Sequence, residues 1–421
     1  MKKNRKGDMT PYDLNESPLK QNLFLMPIIW LACWFLTRPN RLNIKKINME
    51  GLKPPFLVLS EHHGFADYYI APLALFPHRA NYVSDIEGFA AFGRGLYRAV
   101  GCIPTRRFVS SVSLVKNVQK VLQKKGGVAV IFPEARHSNV GTNSVLPGSI
   151  GKLVRLLKVP VVILKIKGSY LDAPIWDEHR RRNAPLEAQL EKLLDTSDIE
   201  EMSAEEITDM LNKKFSYDEY RWQHENKIAI EFSGRAEGLH TMLYQCPQCK
   251  SSHTITSHQN ELLCNVCGCK WQMDQWGSLI TQNEAEQRIH IPDWYESQRI
   301  SVSDEIDSGN YYLNLEVEIE ALPNHKGFVS LGSGTLTHTA KGFTVEIPNT
   351  FETLHFPTAS LPSVHTECNY HEKGDCLVLS TRSCCYYLYA KKEILPLTKI
   401  QFAAEDFYTR QLYRESASLK C

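Results

Sequence analysis

The feature that most constrains this chain is an alternation between Leu42 and Gly168. Short apolar runs recur there, with stretches of helical spacing between them. "PFLVLS", "NYVSDI", "VGCIP", "VAVIF" and "VPVVILKIKG" have strand length, and "NIKKINMEG" reads as a strand ending in a turn. Between them, "YYIAPLALF" opens a helix after Asp67. Ser110 to Gln123 carries valines at helical spacing and stops at Gly126-Gly127, and Ser149 to Lys158 is helical. Strands alternating with helices imply an α/β layer with a mostly parallel sheet.

A chain of 421 residues exceeds one small core. The texture divides it into an N-terminal segment (1–41), the α/β domain (42–238), a cysteine-bearing unit (239–280) and a β-rich domain (281–421). Trp176 to Gln223 reads as polar and helical, including "APLEAQLEKLL" and "SAEEITDMLNKKF". Ser203 caps the second, with Glu205 and Glu206 in its first turn. Beyond Ile300, "YYLNLEVEIEAL" alternates with period two. "GTLTHTAKGFTVEI" is a hairpin turning at Ala340-Lys341-Gly342, and "DCLVLS" and "CYYLYA" add strands before a closing helix, Thr398 to Tyr413. Strand count and terminal helix together resemble a pleckstrin-homology-like barrel.

Twelve cysteines are present, but four form two C-x-x-C pairs, Cys246/Cys249 and Cys264/Cys267, with a hairpin-length segment between them. This is the pattern of a zinc ribbon in a reducing compartment, with iron as the runner-up ion. Four thiolates close the coordination shell, so the Zn2+ is structural and no catalytic cofactor is expected. Cys368, Cys376, Cys384 and Cys385 form no such pair and read as small buried residues.

Net charge is +1, which supplies no global field for nucleic acid, and the ribbon lacks interleaved basic and aromatic residues. Leu23 to Leu36, "LFLMPIIWLACWFL", is uncharged but shorter than a membrane span. Lys2, Lys3, Arg5 and Lys6 precede it, and Arg38 and Arg41 follow. A helix lying in a membrane interface is favoured over a buried core helix. "EHRRR", Glu178 to Arg182, reads as a solvated helix start rather than a site for anionic lipid.

"VLSEHHGFADYY" ends a buried strand on His62 and places Asp67 in the first turn of the next helix. There the carboxylate can fold back on one ring nitrogen and fix the tautomer. The other nitrogen is left as a base toward a hydroxyl.

Downstream come "GCIPTRR" (Gly101 to Arg107), "IFPEARHS" (Ile131 to Ser138) and "VPVV" (Val159 to Val162). The order and spacing of the four blocks resemble the glycerophospholipid acyltransferase family, whose best-known members acylate 1-acylglycerol-3-phosphate. The resemblance covers roughly the first half of the chain. It implies that His62 is the catalytic base and Asp67 its orienting acid, and that Arg107 binds the acceptor phosphate. Gly101 and Ile103 would be structural, Phe132, Pro133 and Glu134 would open the third block with Glu134 helping to hold the acceptor, and Pro160 would shape the acyl side. The chain departs from the family pattern at Glu61, Gly64 and Ala135-Arg136-His137, where Arg136 stands one place early for a phosphate contact. His63 and His137 read as bystanders.

The resemblance implies acyl transfer from acyl-CoA or acyl carrier protein to the hydroxyl of a lysophospholipid. The protein would be cytoplasmic and peripheral to the inner face of the membrane. The alternative is a decayed, membrane-tethered scaffold presenting the ribbon and β module. Retention of His62, Asp67 and Arg107 together disfavours it.

Overall fold

The structure is a computed structural model, and it describes residues 7–178, 180–282, 287–348, 352–392 and 394–418. Seven strands make the first sheet: β1 (Asn43–Ile47), β2 (Phe56–Ser60), β3 (Ala80–Asp85), β4 (Cys102–Thr105), β5 (Val128–Ile131), β6 (Val161–Lys167) and β7 (Glu187–Leu194). Their order is β1-β7-β6-β2-β5-β3-β4. All neighbours are parallel except the antiparallel pair β6/β7. β2 lies between β6 and β5, and Phe56, Leu57, Val58 and Leu59 are all fully buried. A strand covered on both faces needs no polar alternation, which is why this run is continuously apolar. Leu57 and Leu59 pack on one side with Val118, Val154 and Ile207. Val58 packs on the other with Ile70 and Ala74 of α2 (Asp67–Leu75).

One expected helix is a strand. "EAQLEKLL" has helix-forming residues, yet it is β7, paired with β6 on one side and β1 on the other. Ala188, Leu190 and Leu194 are buried while Glu187 is exposed. Its apolar residues fit a period of two as well as one of 3.6, and pairing with β6 overrides weak helix propensity. The helix expected over "SAEEITDMLNKKF" forms at Ala204–Lys214, with a reciprocal cap between Ser203 and Glu206.

The strands Ile255–His258, Glu261–Cys264, Lys270–Met273, Leu279–Thr281 and Arg288–Ile289 pair in sequence order into an antiparallel sheet. A second seven-stranded sheet follows. Leu313–Leu322, Val329–Thr339, Gly342–Ile347 and Glu352–Pro357 form one meander. His365–Glu367, Cys376–Ser380 and Cys385–Ala390 form another, joined where Leu313–Leu322 pairs with Cys385–Ala390. The hairpin turns at Ala340-Lys341 as expected. Gly342 has φ +113°, and a Cβ there would lie 2.1 Å from the Phe356 carbonyl oxygen. The terminal helix Leu397–Ser418 packs on Ile291–Asp307. Tyr170, Trp176, Trp271, Trp294 and Phe402 share one core, so the α/β domain, the ribbon and the terminal helix are packed together.

α1 (Leu25–Thr37) rests on α2 and buries Cys33 and Thr37. Its other face is open: Phe24 is 84% exposed, Ile28 63%, Leu31 48% and Phe35 55%. It is therefore not a buried core helix. No helix among the described residues is long and apolar enough to cross a membrane. Lys2, Lys3, Arg5 and Lys6 lie outside the described residues. The "EHRRR" run is not a solvated helix start either. Arg180 and Arg182 pair with buried Asp177, and Arg181 pairs with buried Asp172 and donates to the Leu36 carbonyl at the end of α1. His179 of that run lies outside the described residues.

Candidate active site

His62 lies two residues beyond β2, and Asp67 opens α2. One Asp67 oxygen gathers the turn between them: His62 Nδ1 is 3.3 Å away, the His63 amide donates to it at 2.6 Å and the Gly64 amide at 3.0 Å. Gly64 is required by space, since a Cβ there would meet the Ser169 carbonyl oxygen at 2.9 Å. His62 Nε2 faces the Tyr68 hydroxyl at 3.2 Å. The ring is 6% exposed, Phe132 lies tilted against it at 4.7 Å and His137 edge-on at 4.4 Å, and the half-open rings of Phe65 and Tyr68 stand at the rim. Desolvation around its hydroxyl pushes the Tyr68 phenol above its ordinary range, although the ring itself is half-open.

Glu134, just beyond β5, is turned toward backbone. One oxygen accepts the His62 amide at 3.1 Å and the other the Ser144 amide at 2.7 Å. Burial drives its carboxyl up to about 7, against the pull of His63 and those amides. Pro133 is buried beside it. Gly101 sits at φ +92°, and a Cβ there would come within 2.8 Å of the Ala80 carbonyl oxygen, so it is the residue that lets β4 start beside β3. Ile103 is fully buried, and the Pro160 carbonyl accepts the Leu57 amide at 2.9 Å, tying the fourth block to β2.

Arg107 lies in a cage of carboxylates: Asp85 at 2.5 Å, Glu367 at 3.6 Å and Glu87 at 3.9 Å. Burial and Asp85 push the Glu87 carboxyl up to about 7, with Arg107 opposing them. Arg136 donates to Ser144 and Ser363 Oγ and pairs with Glu405 at 3.0 Å.

Several contributors lay beyond the sequence reading. Tyr68 follows Asp67 directly, and that adjacency was the available signal. Behind His62, His63 lies between Glu61 at 3.4 Å and Glu219 at 3.3 Å, with the Tyr217 ring at 3.5 Å. Burial opposes charging this imidazole, but contact with Glu219 and the Glu61 charge outweigh it, and its pKa lies above the ordinary histidine value. Glu61 also accepts the Ile166 amide and Glu219 the Gly168 amide, so the pair clamps the His62 turn to the end of β6. No local pattern marks Glu219, Glu367 or Glu405 for such contacts.

The sulfurs of Cys246, Cys249, Cys264 and Cys267 lie within 4.8 Å of one another. Cys246–Cys267 and Cys249–Cys264 are each 3.7 Å apart. A tetrahedron with metal–sulfur bonds of about 2.3 Å has edges of about 3.8 Å, so the residues fit a metal ion. Among the described residues no other such group of histidine, cysteine and acidic ligands occurs.

With this geometry in place, the comparisons define a class. Residues 40–167 match the family described as Acyltransferase, a span that holds His62, Asp67, Arg107, Glu134 and Arg136. The chain thus carries an acyltransferase domain. Among solved structures it is similar to the crystal structure of the 1-acyl-sn-glycerophosphate (LPA) acyltransferase PlsC from Thermotoga maritima. The TM-score is 0.37 at 14% identity, over 45% of this chain and 78% of that one, and a score that low carries no weight for function. No curated protein matches the chain.

Proposed function

We propose that this protein transfers a fatty acyl group from a thioester, acyl-CoA or acyl carrier protein, to the hydroxyl of 1-acylglycerol-3-phosphate, giving phosphatidate. The observation that carries the reading is the 3.3 Å contact of Asp67 with His62 Nδ1, which leaves Nε2 directed at a hydroxyl near the rim of the site. The acceptor hydroxyl takes the place of the Tyr68 hydroxyl and gives its proton to Nε2. Its oxygen attacks the thioester carbonyl, the C–S bond breaks, and the thiolate leaves with the proton returned by the imidazolium. Asp67 holds the tautomer and offsets the transient positive charge. Arg107 and Arg136 orient the acceptor phosphate, and Glu134 holds the His62 loop.

Phe24, Ile28, Leu31 and Phe35 are spaced as one helical face and support seating α1 in a membrane interface, at the inner face of a cytoplasmic membrane, where lysolipid and product reside. The four cysteines, as a closed thiolate set, support structural zinc rather than catalytic metal. The seven strands between Leu313 and Ala390 and the terminal helix support a pleckstrin-homology-like module within 281–421, beside a segment 1–41, a domain 42–238 and a ribbon 239–280 whose sheet extends to the strand Arg288–Ile289. The test is acyl transfer over a panel of donors and acceptors. His62→Ala should abolish turnover while the fold survives, and retained turnover would reject the base.

A further inference from the structure

Both guanidiniums assigned to the acceptor phosphate are held by carboxylates from the C-terminal domain. Glu367 ends the strand His365–Glu367 and reaches Arg107 at 3.6 Å. Glu405, on the terminal helix, reaches Arg136 at 3.0 Å, and Ser363 Oγ bridges the same pair, accepting from Arg136 at 3.0 Å and donating to Glu405 at 2.6 Å. The domain is fastened beside them. Buried Arg106 donates to the carbonyls of Pro323, Arg382 and Ser383, and the Tyr370 and Tyr387 hydroxyls donate to Glu87. Two arginines of one domain are thus each met by a carboxylate of another, and Arg107 also by Asp85 and Glu87 of its own. A carboxylate presents to a guanidinium the same pair of oxygens that a phosphate does.

We propose that Glu367 and Glu405 are built-in occupants of the acceptor-phosphate site, which the incoming phosphate must displace. This rests on the reading that Arg107 and Arg136 bind that phosphate. A phosphomonoester brings nearly two negative charges against one on each glutamate. Arg107 keeps 21% of its side chain exposed, but the Nη1 that faces Glu367 is buried, so the exchange requires Glu367 to part from Arg107 first. The C-terminal domain is in this sense a gate on the acceptor. It favours a terminal phosphate over a neutral or zwitterionic headgroup, which cannot compete for the arginines.

The test uses the full-length, metal-loaded chain with Glu367→Gln, Glu405→Gln and the double variant. Affinity for glycerol 3-phosphate is measured by calorimetry, and acceptor KM by transfer assay. An occupant that holds the site about nine-tenths of the time weakens apparent affinity about tenfold, so the double variant should bind the probe about tenfold more tightly. Its acceptor KM should fall by a similar factor while the donor KM stays in place. Unchanged or weaker probe binding in variants that unfold at the wild-type temperature overturns the gate and leaves plain domain staples.

Hydrogen exchange on the wild-type chain gives a second reading that needs no variant to fold. Glycerol 3-phosphate should speed exchange around residues 363–367 and 401–409, and unaltered exchange counts against displacement. Transfer activity with unchanged probe affinity overturns the gate alone. Probe binding that tightens in a protein without transfer supports the gate and overturns the proposed reaction.

Discussion

Replacing Asp67 by asparagine isolates the electrostatic half of the proposed dyad. The side chain keeps its size, and its carbonyl oxygen can still accept from the His63 and Gly64 amides that now donate at 2.6 and 3.0 Å. What is removed is the negative charge 3.3 Å from His62 Nδ1, beside the ring that in the proposed reaction takes the acceptor's proton. At an effective dielectric constant of about 20, that attraction is about 5 kcal/mol. This is a ceiling, because water solvates both groups once they part. Deleting hydrogen bonds to charged partners costs about 1.5–3 kcal/mol. A loss of about 3 kcal/mol corresponds to a fall in kcat of roughly 10²-fold. Asp67 is fully buried and touches neither substrate, so both KM values should stay within about twofold. Thiol release from acyl-CoA with 1-acylglycerol-3-phosphate gives these constants, and the thermal midpoint confirms the fold. A kcat within about threefold of wild type at an unchanged midpoint would refute the dyad.

Two further outcomes concern stability. Burial raises the Glu134 carboxyl from 4.5 to about 7, so its proton is held more tightly folded than unfolded; its contribution is full below about pH 4.5 and lost as pH rises toward 7, a change of about 3 kcal/mol. Glu87 shifts the same way. Urea denaturation between about pH 5 and 8 should show stability falling with pH, less steeply in Glu134→Gln, and a rising slope would contradict this assignment. The ribbon should carry about one zinc ion per chain, lost in Cys246→Ser together with part of the thermal stability. Undiminished metal in that variant would contradict the four-thiolate site.

The alternation over Leu42 to Gly168 was legible because a doubly covered parallel sheet writes itself as short, unbroken apolar runs, and β2, β5 and β6 are such runs. The His62–Asp67 contact was legible too, since a strand end followed by a helix start fixes both residues within one turn. The Cys246–Cys267 knuckles are local for the same reason. β7 was not, because "EAQLEKLL" suits either period and only its neighbours β6 and β1 decide.

Least legible were the partners of Arg107 and Arg136. A motif marks residues close in sequence; Arg107 matches its block, and Arg136 stands one place early in its own. The carboxylates that meet them lie on a different sheet and on the last helix, where no sequence pattern marks a glutamate as an arginine's partner. Without Glu367 and Glu405 an incoming phosphate would still compete with Asp85 and Glu87 at Arg107, and with them it must also release both glutamates. In the proposed gate, a domain with no motif of its own sets how strongly the motif-bearing one holds its acceptor.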